Sequence, residues 1–405
     1  MQNLAAEMTG LAPELARKAP EDRRDVVRRS TFIAIIAFLT LIDLFGSQAL
    51  LPTLVEVYDV TPAAMGFAVN ASAIGMAAAS LVVAILARHI NRKRWIWICL
   101  ALLAIPTSLL AHTEDLTTFT LLRVAQGVFM SAAFTLTLTY LSEECTLTAL
   151  GGAMAAYITG NVASNLFGRL LASGIADNLG LAESFYGFAI LNLVGAALAF
   201  AYFGRKDARR PVVDTRVRVL QAWSQHLTNP RLGPTFAIGF ILLFAFVATF
   251  TYANFVLASE VFSLPQATIG LVYFVFAPAI FTTPLAAGSV VRYGARASFL
   301  GAIAVSLVGL ALLLSQVLVA FLTGLALVGA GLFFAQSVAT GYVGRTAMHD
   351  HAAANGLYLT SYYLGGIVGA FMIGQLFEMS GWRAAVVALI VLTAVAGALG
   401  RTMTR

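Results

Sequence analysis

The chain has 405 residues, of which 60% are hydrophobic and 11% charged, with a mean hydropathy of +0.86. A soluble chain of this length needs far more charge to cover its surface, so this composition places it in a membrane. Its formal charge of +6 follows the connections between apolar runs and reads as topology, with no nucleic-acid partner implied.

Twelve apolar helices are predicted, at 31–51, 63–87, 95–112, 116–141, 150–174, 184–203, 234–258, 267–291, 298–314, 318–342, 354–378 and 382–400. Each is close to the length that crosses the hydrocarbon layer as a helix, and their unbroken apolar runs exclude the alternation of a β-barrel. Residues 1–30 hold no apolar run, so no cleaved signal peptide is expected there. Cys99 and Cys145 are the two cysteines, and no disulfide is expected from them.

Basic residues return at every second connection. They are Arg17 to Arg29, Arg88 to Arg94, Arg205 to Arg218, Arg292 and Arg296, Arg345, then Arg401 and Arg405. The alternate connections carry acids such as Glu56, Glu114, Asp177 and Glu260, with Arg383 as their one base. Basic loops stay inside, so both termini are expected in the cytoplasm of a bacterium, with the chain crossing its inner membrane an even number of times.

The second half repeats the first at a spacing of roughly 204 residues: Thr61-Pro62 and Gly66 open the second helix, Leu264-Pro265 and Gly270 the eighth. The expected organisation is a cytoplasmic segment 1–30, a six-helix bundle 31–204, a linker 205–233, a second bundle 234–400 and a tail 401–405. In the linker Leu220, Trp223 and Leu227 share one helical face, which suits a short interfacial helix; a linker without structure is the alternative. This is the parallel-repeat plan of the major facilitator transporters.

Three motifs carry that resemblance along nearly the whole chain. The fourth helix holds Arg123 three residues before Gln126-Gly127, as in that superfamily. The fifth helix matches part of the antiporter motif through Gly151, Gly160 and Gly168, with Ser164, Asn165 and Arg169 replacing a Gly, the Pro and the last Gly. The loop between helices two and three keeps a basic tail, Arg92-Lys93, but has Arg88 where the family has Asp. Thr139 to Glu144, Gly168 to Leu170 and Leu357 to Gly365 further resemble the YnfM-like inner-membrane transport proteins of the drug:proton antiporter group. The resemblance implies an all-α membrane protein of two pseudo-symmetric six-helix bundles, and a transporter instead of an enzyme.

Charges inside the spans are costly and point to function. Asp43 and Arg123 fall at similar depths, on helices that line the central cavity in this superfamily. An ion pair between them is expected, either cycling a proton or statically holding the two helices. Tyr157, Asn161, Asn165 and Arg169 follow at steps of four and form one polar stripe on helix five. Arg169 suits an anion hook, or a snorkelling anchor near the outer interface. Tyr358 and Tyr362 share a face of helix eleven, beside Gly365 and Gly369, and suit either stacking on a solute or packing. Gln48, Asn70, Gln126, Tyr252, Asn254 and Gln336 are further cavity candidates. With no Asp at position 88, Glu143 and Glu144 are the expected partners of Arg88 or Arg92 in a cytoplasmic gate. His349-Asp350-His351 reads as a solvated loop, and no phosphate-binding loop or nucleophile constellation is present, so neither metal nor ATP is expected.

The expected activity is proton-driven movement of a small organic solute by alternating access, with export implied by the subgroup. Uptake or exchange of an organic anion is the alternative, because Arg169 remains as an interior cation. A transport-inactive sensor or scaffold is the reading from another class, and a long polar stripe at membrane depth speaks against it. The proton gradient is the only energy source expected, with no cofactor; a monomer among membrane lipids is the expected state.

Overall fold

The computed structural model describes residues 23–86, 90–145, 147–203, 219–264, 266–347 and 351–403. Among them the regular structure is helical throughout. The first half comprises α1 (Arg23–Ala49), a short α2 (Leu51–Tyr58), the second span as α3 (Pro62–Asn70) and α4 (Ser72–Leu86), then α5 (Arg92–Leu109), α6 (Leu116–Glu144), α7 (Leu147–Asn178) and α8 (Leu181–Phe203). After a connecting helix α9 (Val219–Leu227) come α10 (Leu232–Ala258), the eighth span, α14 (Ala295–Leu312), α15 (Leu318–Thr346) and α16 (His351–Gly400). The eighth span is broken into α11 (Gln266–Val272), a 3-10 turn Tyr273–Phe276, α12 (Ala277–Thr282) and α13 (Leu285–Tyr293).

Side-chain caps start several helices where the sequence places them. Asp115 accepts the Thr118 amide at 2.8 Å, which holds its carboxyl below the usual carboxylate range. Thr61 and Asn91 cap α3 and α5 in the same way. Two breaks have identifiable causes. Pro278 and Pro284 interrupt the eighth span, predicted as one continuous helix, because proline lacks the amide and crowds the preceding turn; its two parts meet at 47°. Gly381, at φ 75°, breaks α16 between the eleventh and twelfth spans, a backbone shape side-chain-bearing residues rarely adopt.

Nine described helices are long and apolar enough to cross a membrane, or ten with the bent eighth pair. One of these stretches, Ala353–Gly400, holds two spans on either side of Gly381. The twelfth is α7, whose 32 residues suffice in length but whose polar stripe lowers its hydropathy.

The two halves repeat one packing scheme. The first span packs on the fifth as the seventh packs on the eleventh, and the third packs on the fourth and sixth as the ninth packs on the tenth and twelfth. Glycine makes the tightest of these approaches. A Cβ at Gly160 or Gly168 would overlap the Ala34 or Ile42 carbonyl of α1, and one at Gly365 or Gly369 the Phe240 or Phe244 carbonyl of α10. Without water to drive association, such backbone proximity is a main source of helix–helix attraction in lipid. The same substitution should therefore have opposite effects at two sites. Gly365→Ala should lower the thermal midpoint of the purified protein by the equivalent of about 1–3 kcal/mol through overpacking. Gly301→Ala, whose Cβ meets nothing within 4 Å, should leave it unchanged or raise it slightly.

Candidate functional site

The N-terminal half encloses a polar cluster built from four spans. Asp43 of α1 is fully buried and is the sole fully buried acid among the described residues. Its Oδ2 accepts from Asn192 Nδ2 of α8 at 3.2 Å, from Gln126 Nε2 of α6 at 3.3 Å and from Thr107 Oγ1 of α5 at 3.1 Å. Thr107 has one proton, and the Leu103 carbonyl competes for it at 2.8 Å. Oδ1 of Asp43 has no hydrogen-bond partner.

Arg123, also fully buried, donates through Nε to the Val69 carbonyl at 2.9 Å, through Nη1 to Gln126 Oε1 at 2.6 Å and through Nη2 to Ser72 Oγ at 3.4 Å. No direct Asp43–Arg123 ion pair forms; the expected contact is replaced by Gln126, whose two amide ends face one charge each. The reason is local. Gly127 brings α6 against the Ser72 backbone of the second span, and this puts the Val69 carbonyl and Ser72 hydroxyl within reach of the guanidinium. Buried arginine needs several acceptors, and three are supplied here without the carboxylate.

A second cluster joins the halves. Arg169 of α7 is fully buried, so it does not snorkel to an interface. Its Nε donates to Asn165 Oδ1 at 2.9 Å, and its Nη2 donates to Gln48 Oε1 of α1. Its guanidinium lies over the Tyr273 ring of the second half, 4.3 Å from the centroid, with Phe276 at 5.7 Å. Tyr273 donates to Asn254 Oδ1 of α10 at 2.6 Å. Gln48 continues to Asn70 Oδ1 at 2.8 Å, and Asn70 reaches Thr251 of α10 at 3.5 Å. The halves also meet near the opposite end of the second span, where the Ser80 and Thr360 hydroxyls are 2.6 Å apart.

The remaining predicted residues are distributed as follows. Tyr157 and Asn161 are buried on the same stripe, Tyr157 donating to the Phe134 carbonyl at 2.9 Å, which ties α7 to α6. Tyr358 and Tyr362 are buried and stack on each other with centroids 6.2 Å apart. Tyr362 and Gln336 line a cavity of about 10 Å³ with Leu242, Phe246, Leu332 and Phe333, room for about one water. Tyr252 is committed to the Ala370 carbonyl at 2.7 Å. Of the gate residues, Arg88 and the side chain of Glu143 lie outside the described residues, as do His349, Asp350 and the side chain of His351. Glu144 is 3.5 Å from Lys93, a partially exposed pair between α5 and α6 of one half, and Arg92 begins α5 beside it.

Asn192, Thr107, Ser72 and Tyr273 are absent from the sequence-based candidates. Asn192 left a signal, being the one strongly polar residue in the sixth span. Thr107 left none, because a buried threonine that bonds its own helix, as it does at the Leu103 carbonyl, is common in membrane spans; Ser72 and Tyr273 stand in no motif that sets them apart.

The Major Facilitator Superfamily profile matches residues 33–277 and 253–404, and the chain belongs to that family. It is a multi-pass membrane transporter, not an enzyme. It is 29% identical over 353 residues to the uncharacterized MFS-type transporter YybF of Bacillus subtilis (strain 168), covering 87% of each chain. It is 27% identical over 340 residues to the inner membrane transport protein YnfM of Escherichia coli (strain K12), covering 84% of this chain and 82% of YnfM. Among solved structures, a point mutant of the nucleoside transporter NupG superposes with a TM-score of 0.70 at 15% identity, over 93% of this chain and 100% of NupG. The human organic anion transporter MFSD10 (TETRAN) superposes with a TM-score of 0.71 at 14% identity, over 94% of this chain and 100% of MFSD10.

Proposed function

We propose that the chain is a proton-coupled secondary transporter of the bacterial inner membrane that exports a small organic solute by alternating access, with Asp43 as the group that takes up and releases the proton. The observation that carries this reading is the Asp43 environment. One carboxylate oxygen lacks a partner, and the other is held by three bonds of 3.1–3.3 Å. The Oδ2–Thr107 hydrogen bond can run in either direction without backbone movement. Ionised Asp43 accepts the Thr107 proton; protonated Asp43 donates to Thr107 Oγ1, which turns its own proton to the Leu103 carbonyl. Gln126 transmits the change to Arg123, and Arg123 to the Val69 carbonyl of the second span, which packs against the eleventh. Protonation thereby alters a contact path that reaches the interface between the halves.

The test is purified protein in liposomes carrying a trapped pH dye, challenged with anionic, neutral and cationic organic compounds. Proton movement tied to the addition of a transported compound is expected; solute movement with no proton flux would defeat the coupling assignment. A second reading, transport of an organic anion, has its own observation: Arg169 is a buried cation with no hydrogen-bonded acid, and its Nη1 has no acceptor.

A further inference from the structure

Buried donors normally find acceptors, and clusters that fail to do so call for an explanation. Three such donors occur in one connected group. Arg169 Nη1, Asn165 Nδ2 and Asn254 Nδ2 are all buried and have no acceptor. Arg169 Nε can only donate, so Asn165 Oδ1 is the acceptor and its Nδ2 the free end. Asn254 Oδ1 accepts from the Tyr273 hydroxyl, which leaves Asn254 Nδ2 without a partner. The Tyr273 ring beneath the guanidinium ties the two asparagines together across the halves. The group thus offers N–H donors and a positive charge, which is the complement of an oxyanion.

An aromatic wall leads away from it. Phe276 lies 5.7 Å from the Arg169 guanidinium carbon, and its ring is 5.9 Å from Phe246 and 6.2 Å from Phe333. Phe246 and Phe333 in turn line the small cavity that Gln336 and Tyr362 share. We infer that Arg169, Asn165 and Asn254 form a carboxylate-binding site spanning the two halves, whose ligands are aryl monocarboxylates with the ring against Phe246, Phe276 and Phe333. Because Asn165 and Arg169 come from α7 and Asn254 from α10, one carboxylate bonded to both sides links the halves and favours their closure. The cavity admits no aryl group while the halves are closed, so loading accompanies their separation.

This inference rests on the transporter reading but is tested by binding, so the two fail separately. Purified full-length protein is titrated with indole-3-acetate, indole-3-acetamide and tryptamine, and with benzoate, benzamide and benzylamine, while its thermal midpoint is followed. Only the two carboxylates should raise the midpoint, and saturably. Arg169→Lys should weaken binding several-fold, because the planar fork is lost, and Arg169→Ala by more than tenfold. Asn254→Asp keeps the size but turns a donor into an acid, and should also weaken binding more than tenfold; it serves if Arg169→Ala does not fold. Absence of any carboxylate effect on the wild-type protein would overturn the site. So would equal shifts by amides or amines, or undiminished affinity in Arg169→Lys and Asn254→Asp. Anion binding in a protein that moves no protons would instead remove the coupling role of Asp43 and leave this site standing.

Discussion

Asp43→Asn is expected to abolish uphill transport while leaving exchange of solute down its own gradient intact. An amide cannot carry a proton through the cycle, so the gradient no longer does work on the solute. The fold should tolerate the change. The asparagine carbonyl can occupy the place of Oδ2 and keep accepting from Asn192 and Gln126, while its NH₂ takes the unpartnered position of Oδ1. Arg123 keeps its three acceptors, none of which is Asp43, so no ion pair is broken. The cost of an unpaired buried NH₂ is of order 1–3 kcal/mol, set against the removal of a buried charge. The measurement is paired: solute accumulation against a gradient, and radiolabel exchange without one. A mutant that still accumulates solute rules Asp43 out, and one that loses both activities points to lost structure.

Most of the architecture was legible because a lipid environment leaves few choices. Spans must be helical and long, and Thr61-Pro62 opens the second as expected; the break of the eighth at Pro278 and Pro284 was missed, since a continuous apolar run reads as one helix. The helix suggested around Trp223 is present as α9. The site was legible by residue type and much less by partner. Asp43, Arg123 and Arg169 stand out because charge at membrane depth is rare, but charge and depth do not say which groups meet. Asp43 and Arg123 look paired along the helix axes, yet pairing depends on helix rotation and on what the neighbouring spans offer. The Val69 carbonyl and the Ser72 hydroxyl belong to a helix whose rotation no motif specifies. Arg169 illustrates the same limit. Near the end of a span a long side chain can reach water, and only the packing of Tyr273 over it shows that it turns inward. The small cavity has a related cause: Tyr358, Tyr362 and Tyr252 pack or bond within the protein while the halves are closed, and sequence patterns carry no record of conformational state.

The bridge at Gln126 makes a sharper prediction than either charge alone. Its Oε1 accepts from Arg123 at 2.6 Å, and its Nε2 donates to Thr107 at 2.7 Å and to Asp43 at 3.3 Å. Gln126→Leu fills similar volume but leaves the Arg123 Nη1 donor buried and unpaired. The loss of a hydrogen bond to a charged group, with its donor stranded, should destabilise the protein by about 3 kcal/mol. Gln126→Glu should recover much of that stability, since a carboxylate at this position can pair directly with Arg123. It should not recover coupling, because the Nε2 donor to Asp43 and Thr107 is gone and a second acid now faces Asp43. Stability and coupling therefore part company across the series: lost together in Leu, with only stability restored in Glu. Thermal unfolding of the purified variants gives the first quantity, and solute-linked proton flux in liposomes the second. Should Gln126→Leu match the wild-type protein in both, Arg123 and Asp43 act independently and the bridge carries no signal.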